Sequence, residues 1–245
     1  MNIVIFGATS KIAMETARFF ARQGDRLFLV GLEKERLEVV AGDLTVLGAQ
    51  NCETLVADLA DLNKHPQLLD TILNKMEVID KVLIAHGTLP DQERCQTDWK
   101  YAMRHLMING QSVISLATLL ADVFEKQGFG TMAAISSVAG DRGRKSNYLY
   151  GTAKGSISIF FEGLRNRYGS GQIKIITVKP GFVDTPMTAH LPKNGLFASP
   201  QKVAEDIFYA MQKGRPEVLY TPWFWRFIML VIRHIPGFIF KRLNL

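Results

Sequence analysis

Along the chain, short apolar runs alternate with longer stretches in which apolar residues recur every three to four positions. The short runs are Ile3–Phe6, Leu27–Val30, Glu53–Val56, Val82–Ala85, Gly130–Ser136 and Ile173–Lys179, with a last one at Val218–Tyr220. Each reads as a strand. Between them lie helical patterns at Met14–Gln23, Lys34–Leu47, Pro66–Met76, Asp98–Gln127, Tyr150–Tyr168 and Pro200–Lys213. Strands that are apolar throughout, rather than on alternate residues, belong to sheets covered on both faces. The alternation therefore predicts an α/β fold, a doubly wound parallel sheet of about seven strands with helices on both faces. Ligands of such sheets bind outside the carboxyl ends of the strands, so any chemistry is expected there.

Composition narrows this without changing it. At 245 residues, 47% hydrophobic and 21% charged, the chain is long enough for one full core, and no repeat or Pro/Gly/Ser-rich linker divides it. Residues 1–220 read as a single domain and residues 221–245 as an amphipathic tail. Met1 leads straight into the first strand, so no signal peptide is expected. Cys52 and Cys95 show no metal or redox spacing, which points to a reducing, cytoplasmic compartment. The five histidines are scattered, and no metal site is expected. Of the formal net charge of +6, the stretch from Met211 onward carries six Lys/Arg against one Glu. The rest is nearly neutral and offers no basic stripe for nucleic acid.

The candidate chemistry is a spacing, S-x12-Y-x3-K, made by Ser137, Tyr150 and Lys154. Residues four apart share a helix face, which brings a phenol beside an ammonium. A nearby cation favours the phenolate and should lower the tyrosine pKa from about 10 toward a useful acid/base value. Ser137, at the end of an apolar run, is able to hydrogen-bond the oxygen that the tyrosine protonates. At the other end of the chain the first strand runs into Gly7-Ala-Thr-Ser-Lys-Ile-Ala13 and then a helix. A strand, a tight turn and a helix present backbone N–H groups and a positive helix end to a phosphate. Gly7, Thr9, Ser10, Lys11 and Ile12 are the candidate contacts.

Taken with Asp58, Ala85-His-Gly87, Asn109 and Pro180-Gly-Phe-Val-Asp-Thr185, these motifs fall in one order at familiar spacings. The chain resembles the short-chain dehydrogenase/reductase family over roughly residues 1–220. The resemblance implies a Rossmann fold, a nicotinamide cofactor and hydride transfer at a carbonyl or alcohol carbon. It also implies a homodimer or homotetramer. It makes Tyr150 the general acid/base, gives Lys154 the nicotinamide ribose, and has Asn109 kink its helix and hold a proton-relaying water. Ala85, Gly87, Pro180, Gly181, Val183 and Thr185 would border the cofactor, and Asp58 and Leu59 the adenine, although Asp58 reads equally as a helix cap.

The departures are informative. Of the family's three turn glycines only Gly7 remains, with Lys11 and Ala13 at the other two positions, and the family's Asn-Ala-Gly turn after the fourth strand reads Ala85-His86-Gly87. Gly31-Leu32 carries neither the acid that selects NAD nor the arginine that receives the NADP 2′-phosphate. Lys11, Lys34 and Arg36 offer a diffuse positive field there, so NADP is favoured over NAD. The competing class is a catalytically silent nucleotide-binding or partner subunit, against which the complete Asn/Ser/Tyr/Lys set argues.

The tail begins Thr221-Pro222, which reads as a helix cap and first residue, and continues through Trp223-Phe-Trp-Arg-Phe-Ile-Met-Leu-Val-Ile-Arg-His234. Its longest uncharged run is far short of the roughly 20 residues that span a bilayer. Aromatics beside cations suit a membrane surface instead, on the inner face of the membrane. Packing on the body or on a sister subunit is the alternative. The tail also resembles that of short-chain reductases acting on polyprenyl-phosphate-linked keto-sugars, which implies a lipid-linked substrate. The apolar loop Thr185–Ser199 is the expected lid of a partly hydrophobic pocket.

Overall fold

The computed structural model describes residues 1–243. Seven strands form one parallel sheet, β1 (Asn2–Phe6), β2 (Arg26–Gly31), β3 (Asn51–Val56), β4 (Lys81–Ile84), β5 (Gly130–Ile135), β6 (Ile173–Pro180) and β7 (Val218–Thr221), in the order β3-β2-β1-β4-β5-β6-β7. The helices are α1 (Lys11–Ala21), α2 (Lys34–Val46), α3 (His65–Met76), α4 (Gln92–Thr97), α5 (Trp99–Leu106), α6 (Ser112–Gln127), α7 (Tyr148–Tyr168), α8 (Pro200–Lys213), α9 (Trp225–His234) and α10 (Gly237–Phe240).

The inner strands β1 and β4 are apolar and buried because both faces of the sheet are covered there, while the edge strand β3 is partly exposed. From β1, Ile3 and Ile5 join one core with Ala17, Phe20, Phe208 and Met211 of α1 and α8. Val4 and Phe6 point the other way, into a core with Ile72, Leu116, Phe124 and Phe161. Phe6 stands opposite both Val30 and Ile84, so β1 is the strand from which the chain winds in both directions. The crevice of a doubly wound sheet opens at that point, beyond the carboxyl ends of β1 and β4.

Local signals set the helix ends. Ser10 caps α1 by accepting the Ala13 N–H, and Ser199 caps α8 just before Pro200. Gly128 and Gly214 close α6 and α8 in the left-handed conformation. The helix expected over Asp98–Gln127 is interrupted. Asp98 caps α5, a π-turn occupies Met107–Gln111, and α6 follows. The break falls on Asn109-Gly110, two poor helix formers. By length and composition Trp99–Gln127 would also suffice to cross a membrane, yet Val113, Leu116, Leu120 and Phe124 bury it in the core. The short α4 had no signal in the pattern.

The start of the tail differs from expectation. Thr221 is no helix cap: it is the last residue of β7, laddered beside Pro180, and its hydroxyl donates to Asp206 at 2.7 Å. Because β7 runs one residue longer than the apolar run indicates, α9 starts only at Trp225.

Candidate active site

At the end of β1 the backbone turns through Gly7 at φ +75°, a region that favours glycine. A Cβ there would lie 2.5 Å from the His86 backbone nitrogen, so glycine also lets the β1 and β4 exits touch. The Gly7 and Ala8 amides both donate to the Val30 carbonyl, at 2.8 and 3.0 Å. The first amides of α1, those of Lys11 and Ile12 among them, have no carbonyl to bond within the helix and sit at its positive end.

The side chains around this turn are otherwise engaged. Lys11 pairs with Glu15 at 2.9 Å, and Ile12 packs on the core. Arg36 bridges the Glu33 carboxylate (2.8 Å) and the Thr9 carbonyl (3.3 Å), while Lys34 lies 3.7 Å from Glu38. Leu32 is exposed. Asp58 accepts the Ala60 N–H at 2.9 Å and so caps its own turn. The Leu59 carbonyl accepts from Ser112, with His65 Nε2 3.0 Å away, and the Ala85 amide continues the ladder to Phe6.

The catalytic candidates come from three elements. After β5, Ser137 opens a short 3-10 turn, Val138–Asp141, that lies on α7. A Cβ on Gly140 would be 2.6 Å from the Gly155 nitrogen, and one on Gly151 would be 2.8 Å from the Ala139 carbonyl. These glycines let loop and helix meet backbone to backbone, which brings the Ser137 hydroxyl, itself accepting the Ala139 N–H, close enough to the Tyr150 phenol to favour its ionised form. Ser136 adds a staple by donating to the Lys154 carbonyl at 2.7 Å. From α4, the Gln92 side chain accepts the Leu149 N–H at 3.0 Å and holds the first turn of α7. Lys154 is buried, its ammonium donating to the Ile135 carbonyl at 2.8 Å and lying 5.7 Å from the centre of the Tyr150 ring.

Asn109 joins from the π-turn. Its amide is fully buried, accepts the Thr88 N–H at 2.8 Å and donates to the His105 carbonyl at 3.0 Å. A Cβ on Gly87 would meet Asn109 Oδ1 at 2.8 Å and Lys154 Nζ at 3.5 Å, so this glycine lies between the two. Asn109, Ser137, Tyr150 and Lys154 therefore converge at the exits of β4 and β5, next to the Gly7 turn. Leu32 stands exposed at the end of β2, and Asp58 caps the turn after β3.

The electrostatics correct one expectation. Burial pushes the Tyr150 phenol up to about 12, with the Ser137 hydrogen bond working the other way. Burial outweighs the pull of Lys154, whose ammonium donates to the Ile135 carbonyl and is itself drawn down to about 8 by burial. Tyr150 is thus a neutral phenol at pH 7. His86 is held down to about 3, first by burial and then by the charge of Lys154. Its Nε2 lies 2.9 Å from the Ser112 hydroxyl, and Nδ1 is buried without a hydrogen bond.

The third side of the site is where the pattern was least informative. Pro180 ends β6, Val183 bridges to Ala198, and the Thr185 amide donates to Thr188 in a 3-10 turn. The open face of Gly181, expected to approach the nicotinamide, is covered by the tail: a Cβ there would fall 1.9 Å from Trp225 Nε1. Trp225 and Met229 of α9 are buried against Val138 and Phe182. Arg142 donates to the Ile232 carbonyl and stacks on Phe240 with 3.8 Å to the ring centre. Arg144, buried, reaches Met229 Sδ at 3.4 Å. Beneath them Asp141 takes Lys179 at 2.5 Å and the Tyr220 hydroxyl at 2.7 Å. The only advance signal for this contact was the glycine at 181 in a chain that ends in aromatics.

Comparison with known proteins agrees with the fold. Residues 1–195 match the short chain dehydrogenase family. An uncharacterized oxidoreductase of Mycobacterium tuberculosis is 32% identical over 98% of this chain and 96% of its own. Another, from Streptomyces coelicolor, is 32% identical over 99% and 95%. Among solved structures, a short-chain type dehydrogenase/reductase of Mycobacterium marinum superposes with a TM-score of 0.81 at 18% identity, over 89% of this chain and 92% of that one. An actinorhodin polyketide ketoreductase with NADPH gives 0.80 at 19% identity, over 89% and 94%. The solved structures share the fold, and by the family match and these relatives the chain belongs to the short-chain dehydrogenase/reductase family of oxidoreductases.

Proposed function

We propose that the protein is an NAD(P)-dependent oxidoreductase acting at a carbonyl or alcohol carbon of a partly apolar substrate, with Tyr150 as general acid/base. The observation that carries this reading is the convergence of Ser137, Tyr150, Lys154 and Asn109 beside a phosphate-type turn. The turn fits a dinucleotide: at Gly7 any side chain would collide with His86, and the first amides of α1 lack helix partners. Gly7, Thr9, Ser10, Lys11 and Ile12 would hold the pyrophosphate, and Lys154 the ribose. A bound nicotinamide supplies hydride chemistry. The chain's own residues do the rest. Ser137 orients the substrate oxygen, and Tyr150 Oη gives its proton to that oxygen in the reductive direction. A phenol kept neutral at pH 7 is suited to donation, and Lys154, a charge beside the ring, steadies the phenolate left behind. Asn109 ties the β4 exit to the end of α5 through Thr88 and the His105 carbonyl.

The cofactor reading is NADP. Arg36 reaches the turn at the Thr9 carbonyl, where it would meet a 2′-phosphate, and the ketoreductase of similar fold carries NADPH. NADPH should bind more tightly than NADH in direct titration, with the gap narrowing as salt rises. A salt-insensitive preference for NADH would overturn it.

The catalytic test follows oxidation of NADPH and NADH over a panel of ketones. Tyr150→Phe should leave cofactor affinity intact and cut turnover by about 10²- to 10⁴-fold. Near-normal turnover in that variant would remove Tyr150 from the mechanism. Cofactor binding with no turnover on any ketone or alcohol would favour the silent nucleotide-binding subunit.

A further inference from the structure

Helix α9 uses only half of its apolar surface inside the protein. Trp225, Ile228, Met229 and Ile232 pack inward on Val138, Phe182 and Tyr220. The opposite side presents Phe227, Leu230 and Val231 to solvent at 59%, 56% and 65% exposure, and Trp223 before it and Phe238 after it are each 71% exposed. Trp223 and Phe227 rest edge to face, 5.9 Å apart, so the rings form one surface. A helix apolar on both sides needs something to cover its second side.

Charge decides what that is. Arg226 and Arg233, seven residues apart, lie along one flank of α9, exposed, and Lys241 and Arg242 follow α10, also exposed. None of the four makes an ion pair among the described residues, and no Asp or Glu occurs from Val218 to Leu243. A second copy docked two-fold on this face would set the same cations against each other with no acid there to pair. An anionic surface with an apolar interior satisfies both features. Aromatic rings settle at the boundary layer while the arginine stems reach the headgroups. We propose that the outer face of α9 and α10 docks on an anionic lipid bilayer surface. The inner face of the same helix covers Gly181 and Val138, so docking sets the edge of the candidate active site at the membrane.

The test is co-sedimentation of the full chain with vesicles of phosphatidylcholine alone or mixed equally with phosphatidylglycerol. The expected result is strong binding to the mixed vesicles, weak binding to the neutral ones, and release as salt rises. The paired change Arg226→Gln and Arg233→Gln should lower partitioning by about 30-fold, from the usual attraction per cation. Phe227→Ser with Leu230→Ser should lower it as well, with thermal unfolding unchanged because both side chains face solvent. If the serine pair unfolds, the arginine pair gives the reading, since its long exposed side chains can be changed without opening the core. Binding to neither vesicle, or equal and salt-independent binding to both, would overturn the proposal. So would a concentration-dependent dimer that Phe227→Ser dissociates, which would make this face a contact between copies. None of these readings requires turnover.

Discussion

Lys154 is a charged side chain and is 3% exposed, whereas Trp223 is mostly hydrocarbon and is 71% exposed. The two stand for two regions, the edge formed by β5 and α7 and the tail beyond β7, that depart from ordinary burial in opposite senses. At the edge, polar groups are buried and each is tied to backbone. Lys154 goes to the Ile135 carbonyl, Asn109 to Thr88 and His105, and Ser136 to the Lys154 carbonyl. In the tail, apolar groups are exposed with cations at their margin. Desolvation at the edge tunes proton affinities; exposure in the tail keeps apolar surface in water. The regions meet at Gly181, where the Trp225 indole fills the space a side chain would take.

The largest effect that would break this contrast lies within α9 itself. Trp225→Ala should destabilise the fold by about 3–5 kcal/mol, the cost of emptying a buried aromatic site. Phe227→Ala, two residues on, should stay within about 0.5 kcal/mol. Denaturant unfolding of the two variants checks this. Equal costs would mean that the outer face is buried in the native particle and that the tail has no free side.

A smaller effect sharpens the other half. With its pKa drawn from the ordinary 10.5 down to about 8 by burial, Lys154 is penalised when charged in the folded state. Between those values the unfolded chain binds more protons than the folded one, so stability rises with pH across that window, by up to about 3 kcal/mol. Lys154→Met should lose this rise when unfolding is followed from pH 7 to 10.5, and should lose turnover together with it. A variant with the parent's pH slope would show that the ammonium is solvated.

Much of the fold was legible because its causes are local or periodic. Apolar runs predicted the seven strands, and Asn109-Gly110, two poor helix formers, marked the weak point of a helix otherwise continuous in pattern. Short polar α4 has no period to betray it, and Thr221 reads as a cap until β6 offers it a partner. At the site, the spacing of Ser137, Tyr150 and Lys154 put the right side chains in view. It did not show which way their proton affinities move, since helical spacing says that Tyr150 and Lys154 are neighbours and says nothing of how dry their surroundings are. Nor did it show that Asp141, Lys179 and Tyr220 form a buried network beneath the tail, because the three come from separate elements.

By itself, then, the sequence determined what depends on neighbours along the chain: which segments are strands and helices, where a glycine must turn, and which chemical groups are carried at which strand ends. The tertiary structure alone decided what depends on solvent access and on residues distant in sequence. It raised the proton affinity of Tyr150 and lowered that of Lys154 by burying them, and it closed Gly181 with Trp225 from the far end of the chain. It also divided α9 into a side that is used and a side that is open. Burial is a property of the packed whole, and the pattern of one helix cannot say which of its two apolar sides the rest of the chain will reach.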